Sequence, residues 1–144
     1  MLDLSNVNLV KYMSIPYIWG GSSFSGADCY GLVVLFYKEQ FKLNIFDYKN
    51  LASQFEGDVS NSSAFSDNCE DEFVKIKEKD LKSGDIILFC NNSTTPNHIA
   101  IYLGNDKIVH MLDSRKGCCV STLSVWKQKA YGYYRHKQLA KEES

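Results

Sequence analysis

No stretch of this chain stays apolar for long. Its longest apolar runs, Leu32 to Tyr37 and Ile86 to Cys90, fall far short of the roughly 20 residues that cross a bilayer, so membrane insertion is not expected. Charge of one sign is not in excess either. Sixteen Lys and Arg against 17 Asp and Glu leave a net charge of −1, and the basic residues are not clustered, which argues against general attraction to nucleic acid or an anionic membrane. Met1 to Ile15 holds one Lys, one Asp and no continuous apolar core, unlike a secretion signal. The expectation is a chain made in the cytoplasm without a signal peptide, for which any task outside the cell needs another delivery route. Five cysteines, an odd number at irregular spacing, do not form a disulfide framework. No C-x-x-C pair occurs, and His98, His110 and His136 lack zinc-finger spacing to any cysteine pair. Neither a metal site nor another cofactor is expected. Internal repeats are absent as well.

What the chain does have is core material: 144 residues, 44% hydrophobic and 13% aromatic, enough for one domain over 1–144. Gly57 to Asn68, rich in Ser, Asn and Asp, reads as a surface loop between a helical front and a strand-rich back. In the front, Leu2 to Met13 fits a short helix that ends before Pro16. Trp19 to Ser23 breaks regular structure. From Asp28, a natural N-cap, Leu32, Val33, Leu35, Phe36 and Phe41 recur at helical spacing, and Leu51 to Phe55 adds a further turn or short helix. In the back, Asp85 to Cys90, His98 to Leu103, Lys107 to Met111, Gly117 to Ser121 and Tyr131 to His136 read as strands, with Gly104-Asn105-Asp106 as a hairpin signal. Helices followed by an antiparallel sheet make an α+β fold.

Cys29 stands directly after the cap, in the first turn of its helix, where unpaired N–H groups and the helix dipole favour a thiolate. A cysteine before an apolar run is also a common buried structural residue. His98 changes that balance. It opens a strand after a polar loop, at a sheet edge where it can serve as the base that a thiol nucleophile requires. Such a base needs a third group to orient it, and the hairpin register offers two. A three-residue loop pairs Leu103 with Lys107 and Ala100 with His110, placing His98, Ala100, Tyr102 and His110 on one face and Ile99, Ile101, Leu103, Val109 and Met111 on the other. A two-residue turn pairs Gly104 with Lys107 and sets Asp113 opposite His98. The first register separates polar from apolar better and favours His110. Trp19 and Trp126 read as core or scaffold.

Tyr17-Ile18-Trp19-Gly20-Gly21, Asp28-Cys29-Tyr30-Gly31-Leu32-Val33, Gly84-Asp85-Ile86, His98-Ile99-Ala100-Ile101-Tyr102-Leu103-Gly104 and Ile108-Val109-His110 follow in order. The series, spanning about residues 8 to 136, resembles the NlpC/P60 family of cell-wall peptidases. The resemblance implies a papain-like core with N-terminal helices packed on a five- or six-stranded antiparallel sheet. It further implies Cys29 as nucleophile, His98 as base and His110 as orienting residue. Tyr17 and Asp28 match family positions beside the cysteine and lining the substrate cleft. Tyr30 replaces the family's usual Ser after the nucleophile, a substrate-binding position, and with the Trp126…Tyr133-Tyr134-Arg135-His136 ending it resembles the phage tail-assembly branch. The implied activity is hydrolysis of amide bonds in peptidoglycan stem peptides, commonly after D-glutamate, with phage tail proteins as further partners and delivery on a virion tail. A non-catalytic tail component, or a toxin-like amidase or acyltransferase on another amide, are the alternative readings.

Overall fold

Asp28 does begin the main helix. In the computed structural model, which describes residues 7–46, 69–113 and 115–143, helix α2 (Cys29–Phe41) starts where the Asp28 carboxylate accepts from Gly31 N at 2.7 Å. It stops at Lys42, which turns left-handed at φ 56°. The shorter α1 (Leu9–Met13) is capped by Asn8, whose side chain accepts from Lys11 N. The helix expected from Leu2 therefore begins only at Leu9 within the described residues; the turn at Leu51 to Phe55 and the loop Gly57 to Asn68 lie outside them. Between the helices, where the glycines break regular structure, a two-stranded hairpin forms from β1 (Ser22–Ser23) and β2 (Gly26–Ala27).

The back of the chain builds one antiparallel sheet of six strands: β3 (Phe73–Ile76), β4 (Ile86–Phe89), β5 (His98–Gly104), β6 (Lys107–Met111), β7 (Cys118–Thr122) and β8 (Ala130–His136), in the order β3-β8-β4-β5-β6-β7. Two helices not read from the sequence follow strands: α3 (Leu123–Trp126) after β7 and α4 (Lys137–Glu143) after β8. Alternation along the strands divides the sheet's two faces. Ile86, Leu88, Ile99, Ile101, Val109 and Met111 join Leu32, Val33, Leu35 and Phe36 of α2 in the main core. Ile87, Phe89, Ala100 and Ile108 turn the other way, against Leu123 and Trp126.

The β5–β6 hairpin combines features of both expected registers. Gly104 pairs with Lys107 across a two-residue turn, Asn105-Asp106, and both turn residues have positive φ, 51° and 62°. That is the twist the favoured two-residue hairpin turns require. The register then shifts between Tyr102 and Gly104, so that Tyr102 faces Ile108 and Ile101 faces Val109. Leu103 is the extra residue of a β-bulge. The turn is thus the two-residue one, and the bulge restores beyond it the face assignment of the three-residue loop. His110 lands on the face of His98.

At the opposite end of β4, Asp85 and Arg135 form a buried bidentate ion pair, Nε to Oδ1 at 2.9 Å and Nη2 to Oδ2 at 2.8 Å. Lys82 N donates to Asp85 Oδ2, and Arg135 Nη2 donates to Asp80 O. The pair ties β8 to the turn that leads into β4.

Candidate active site

The first turn of α2 is held by the glycine loop before it. Asp28 spans the two, with Oδ1 accepting from Gly31 N and Oδ2 from Gly20 N at 2.9 Å, while Asp28 N donates to Gly21 O. The fit leaves no room for a side chain at residue 31, where a Cβ would lie 1.7 Å from Gly21 O. This close approach is the physical reason for the glycines flanking Cys29. Cys29 itself is the first residue of α2, half-buried and packed against the main core. No disulfide joins any of the five cysteines.

Tyr17 lies beside this terminus, in a parallel bridge with Ala27. Burial raises the pKa of its phenol, and negative charge at Cys29 and Asp28 raises it further. Tyr17 is therefore a neutral O–H donor at neutral pH. The other two residues expected to bind substrate sit differently. Tyr30 is fully buried, and its hydroxyl donates to Phe46 O. Its position in the helix turns it inward, so it anchors the chain after α2 instead of facing a cleft. Asp28 is only 2% exposed, with both oxygens engaged by backbone N–H groups. It braces the helix start and does not line an open surface.

His98 and His110 come together. His98 Nε2 and His110 Nδ1 are 2.7 Å apart, and both rings are buried. Burial, then the neighbouring His110 and the Lys129 ammonium, lower the pKa of His98 to about 3, and burial lowers that of His110 to about 4. Both imidazoles are neutral at pH 7. Asp113 is engaged elsewhere: it is exposed, and its Oδ1 accepts from Arg115 N and Lys116 N in the turn after β6.

Three more side chains border the pair, of which Ser121 and Lys129 carry no signal in the sequence and Trp126 reads there only as core or scaffold. Ser121 Oγ lies 2.8 Å from His110 Nε2. Trp126 stacks against His98, ring centroids 5.4 Å apart and tilted 31°, and meets His110 edge-on at 4.9 Å. Lys129 Nζ lies 5.0 Å from the centre of the Trp126 ring and donates to Asn91 Oδ1. Trp126 was expected to be scaffold, and it is scaffold for the histidines. Its helix α3 is fixed by the hairpin tip, where Asp106 accepts from Ser124 N and Ser124 Oγ. Trp19, by contrast, is 50% exposed and not part of the core. Among the described residues no cluster of three or more His, Cys, Asp or Glu is placed to hold a metal ion.

A family model described as NlpC/P60 family matches residues 14–135. The chain is 29% identical over 120 residues to the murein DD-endopeptidase MepS/murein LD-carboxypeptidase of Escherichia coli K12, covering 82% of this chain and 54% of that protein. It is 22% identical over 129 residues to tail tip assembly protein K of Escherichia phage lambda, covering 88% of this chain and 63% of the phage protein. It therefore spans less than two thirds of either relative. An NlpC/P60 family protein of Bacillus cereus, known by crystal structure, superposes with a TM-score of 0.64 at 23% identity, over 87% of this chain and 36% of that one. At that identity the likeness bears on the fold.

Proposed function

The chain belongs to the NlpC/P60 family and has its papain-like α+β core, and from that premise we propose that it hydrolyses amide bonds in peptidoglycan stem peptides, with Cys29 as nucleophile, His98 as base and His110 as the orienting residue. The observation that carries this reading is the 2.7 Å bond between His98 Nε2 and His110 Nδ1. It engages one nitrogen of His98 and leaves Nδ1 for proton exchange with the thiol. His98 is the first residue of β5, and in this mechanism its Nδ1 meets the thiol at that end of the strand.

In this mechanism Cys29 gives its proton to His98 and attacks the substrate carbonyl carbon. The C–S bond forms as the carbonyl oxygen takes the negative charge, held by backbone N–H groups at the start of α2, including that of Cys29. His98 then protonates the leaving amine as the C–N bond breaks, and next activates the water that releases the acyl group. The Trp126 face supports the imidazolium formed at His98. Tyr17 supplies a neutral donor beside the thiolate.

The murein endopeptidase relative supports the substrate class, and the family resemblance points to the bond after D-glutamate. Digesting purified peptidoglycan with wild type and Cys29→Ala, followed by mass spectrometry, tests the reading. Stem-peptide fragments with a new amino end should appear with wild type alone. Peptidoglycan left intact by both proteins would sink it. The likeness to the lambda tail tip protein favours a compatible reading of delivery, in which a phage tail carries the enzyme to the wall with tail proteins as partners. Immunodetection in purified virions tests this, and its absence from the particles removes the tail reading.

A further inference from the structure

Three side chains on three adjacent strands form one chain of hydrogen bonds. His98 on β5 meets His110 on β6 at 2.7 Å, and His110 meets Ser121 on β7 at 2.8 Å. Ser121 pairs with Ile108 and His110 pairs with Cys119, so the last contact is a diagonal one across the same face. Cys119, directly opposite His110, does not compete for it: its thiol lies 3.5 Å from Lys116 O and 3.7 Å from Gly117 O.

Each imidazole is neutral and carries a single N–H, so the chain can run in only two directions. In the first, His98 Nε2–H donates to His110 Nδ1, and His110 Nε2–H donates to Ser121 Oγ. His98 Nδ1 is then a bare lone pair. In the second, the Ser121 hydroxyl donates to His110 Nε2, and His110 Nδ1–H donates to His98 Nε2. His98 Nδ1 then carries a proton and cannot take another. Only the first direction leaves a base.

The first direction depends on an acceptor at residue 121. Without one, His110 Nε2–H would be a buried donor with no partner, which is costly; in the second direction that nitrogen is bare and asks for no acceptor. Resting on the peptidase reading above, we propose that Ser121 is a positioning residue that accepts from His110 Nε2 and so keeps His98 Nδ1 proton-free for the Cys29 thiol. In the step it permits, the S–H proton of Cys29 moves to His98 Nδ1, giving a thiolate and an imidazolium, while His98 Nε2–H goes on donating to His110 Nδ1.

The test combines kinetics with the nitrogen NMR shifts of labelled histidine, which separate bare from protonated ring nitrogens. In wild type at neutral pH, His98 Nδ1 should be bare and His110 Nε2 protonated. Ser121→Ala should move both rings toward the opposite tautomer and lower kcat about tenfold, equivalent to about 1.4 kcal/mol, with KM little changed. Ser121→Thr, which keeps the hydroxyl, should restore both. A neutral His98 ring that carries its single proton on Nδ1 in wild type overturns the proposal, and so does a Ser121→Ala variant with unchanged tautomers and kcat. The wild-type shifts decide the direction even if Ser121→Ala does not fold. Because they need no substrate, an inactive wild type with the expected shifts counts against the peptidase reading and not against the hydrogen-bond direction.

Discussion

Strand β4 begins beside one buried polar cluster and ends beside another. Asp85 and Arg135 flank its start; its last residue, Phe89, pairs with His98. Asp85 and Phe89 are four residue steps apart, roughly 13 Å at the usual strand rise. Asp85, Arg135, His98 and His110 are all buried, yet the two clusters are built on different chemistry. The first is a charged pair whose carboxylate takes two guanidinium bonds and a backbone N–H. The second is a row of neutral groups in which every hydrogen bond can be reversed by moving protons. A buried ion pair with its bonds filled has one stable protonation state and serves as a fastener. A neutral imidazole pair at a strand's first residue has two, and suits proton transfer.

The sharpest way to break this comparison is to delete one member of each cluster. Removing one partner of a buried pair leaves the other charge stranded, at a cost of about 3–5 kcal/mol. Asp85→Ala should therefore lower the urea midpoint severely, with activity lost only through unfolding. His98→Ala leaves no stranded charge, so the fold should persist while turnover falls by about 10²–10⁴-fold, the usual worth of a general base. Circular dichroism melts beside stem-peptide assays check both. An unfolded His98→Ala, or an Asp85→Ala as stable as wild type, would exchange the roles assigned to the two clusters.

Acid provides the next test. Both histidines have folded pKa values pushed down by burial, to about 3 for His98 and about 4 for His110, from 6.5. Between 6.5 and those values the unfolded chain binds more protons than the folded one, so stability rises with pH in that window. It is fullest above pH 6.5 and is lost as pH falls, at up to about 1.4 kcal/mol per pH unit for each histidine. Urea midpoints at pH 7 and pH 5 should differ in wild type and differ much less in a His98→Gln/His110→Gln double variant. An equal drop in both proteins would assign the acid sensitivity to other groups.

Local rules carried the sequence reading a long way. The Asp28 cap, the α2 periodicity and the alternation of His98 to Leu103 each rest on residues within a few positions of one another, and the structure has them. What the sequence did not disclose depends on partners far along the chain. Strand β3 was missed because its sheet partner, β8, lies some sixty residues away. Tyr30 looked like a site residue because it follows Cys29, but one step along a helix turns a side chain by about 100°, here into the core. The hairpin was harder still. Asn105-Asp106 is a two-residue turn signal and the apolar alternation demanded the other register; only a bulge at Leu103 satisfies both. Ser121 stayed hidden because the six residues between β6 and β7 do not fix a register from turn chemistry alone.

That bulge sets the last and smallest test. Without it, the two-residue turn would carry Asp113 opposite His98 and turn His110 to the other face; with it, His110 bonds to His98, and Asp113 spends Oδ1 on Arg115 N and Lys116 N. Loss of an anionic orienter elsewhere has cost about 10⁴ in rate. His110 is neutral, so it steadies the imidazole by geometry and tautomer but brings no full charge to the imidazolium. His110→Ala should accordingly slow kcat by about 10–100-fold, the loss typical when the hydrogen-bond partner of a metal-bound histidine is removed. Alkylation of Cys29 by dilute iodoacetamide should persist in that variant, because the helix terminus that favours the thiolate is untouched. Cys118 should not compete for the reagent, since burial pushes its pKa up to about 12. Asp113→Ala should leave kcat unchanged. If instead Asp113→Ala slows turnover and His110→Ala does not, the bulge fails to set the working register, and the neutral cluster loses its claim to the chemistry.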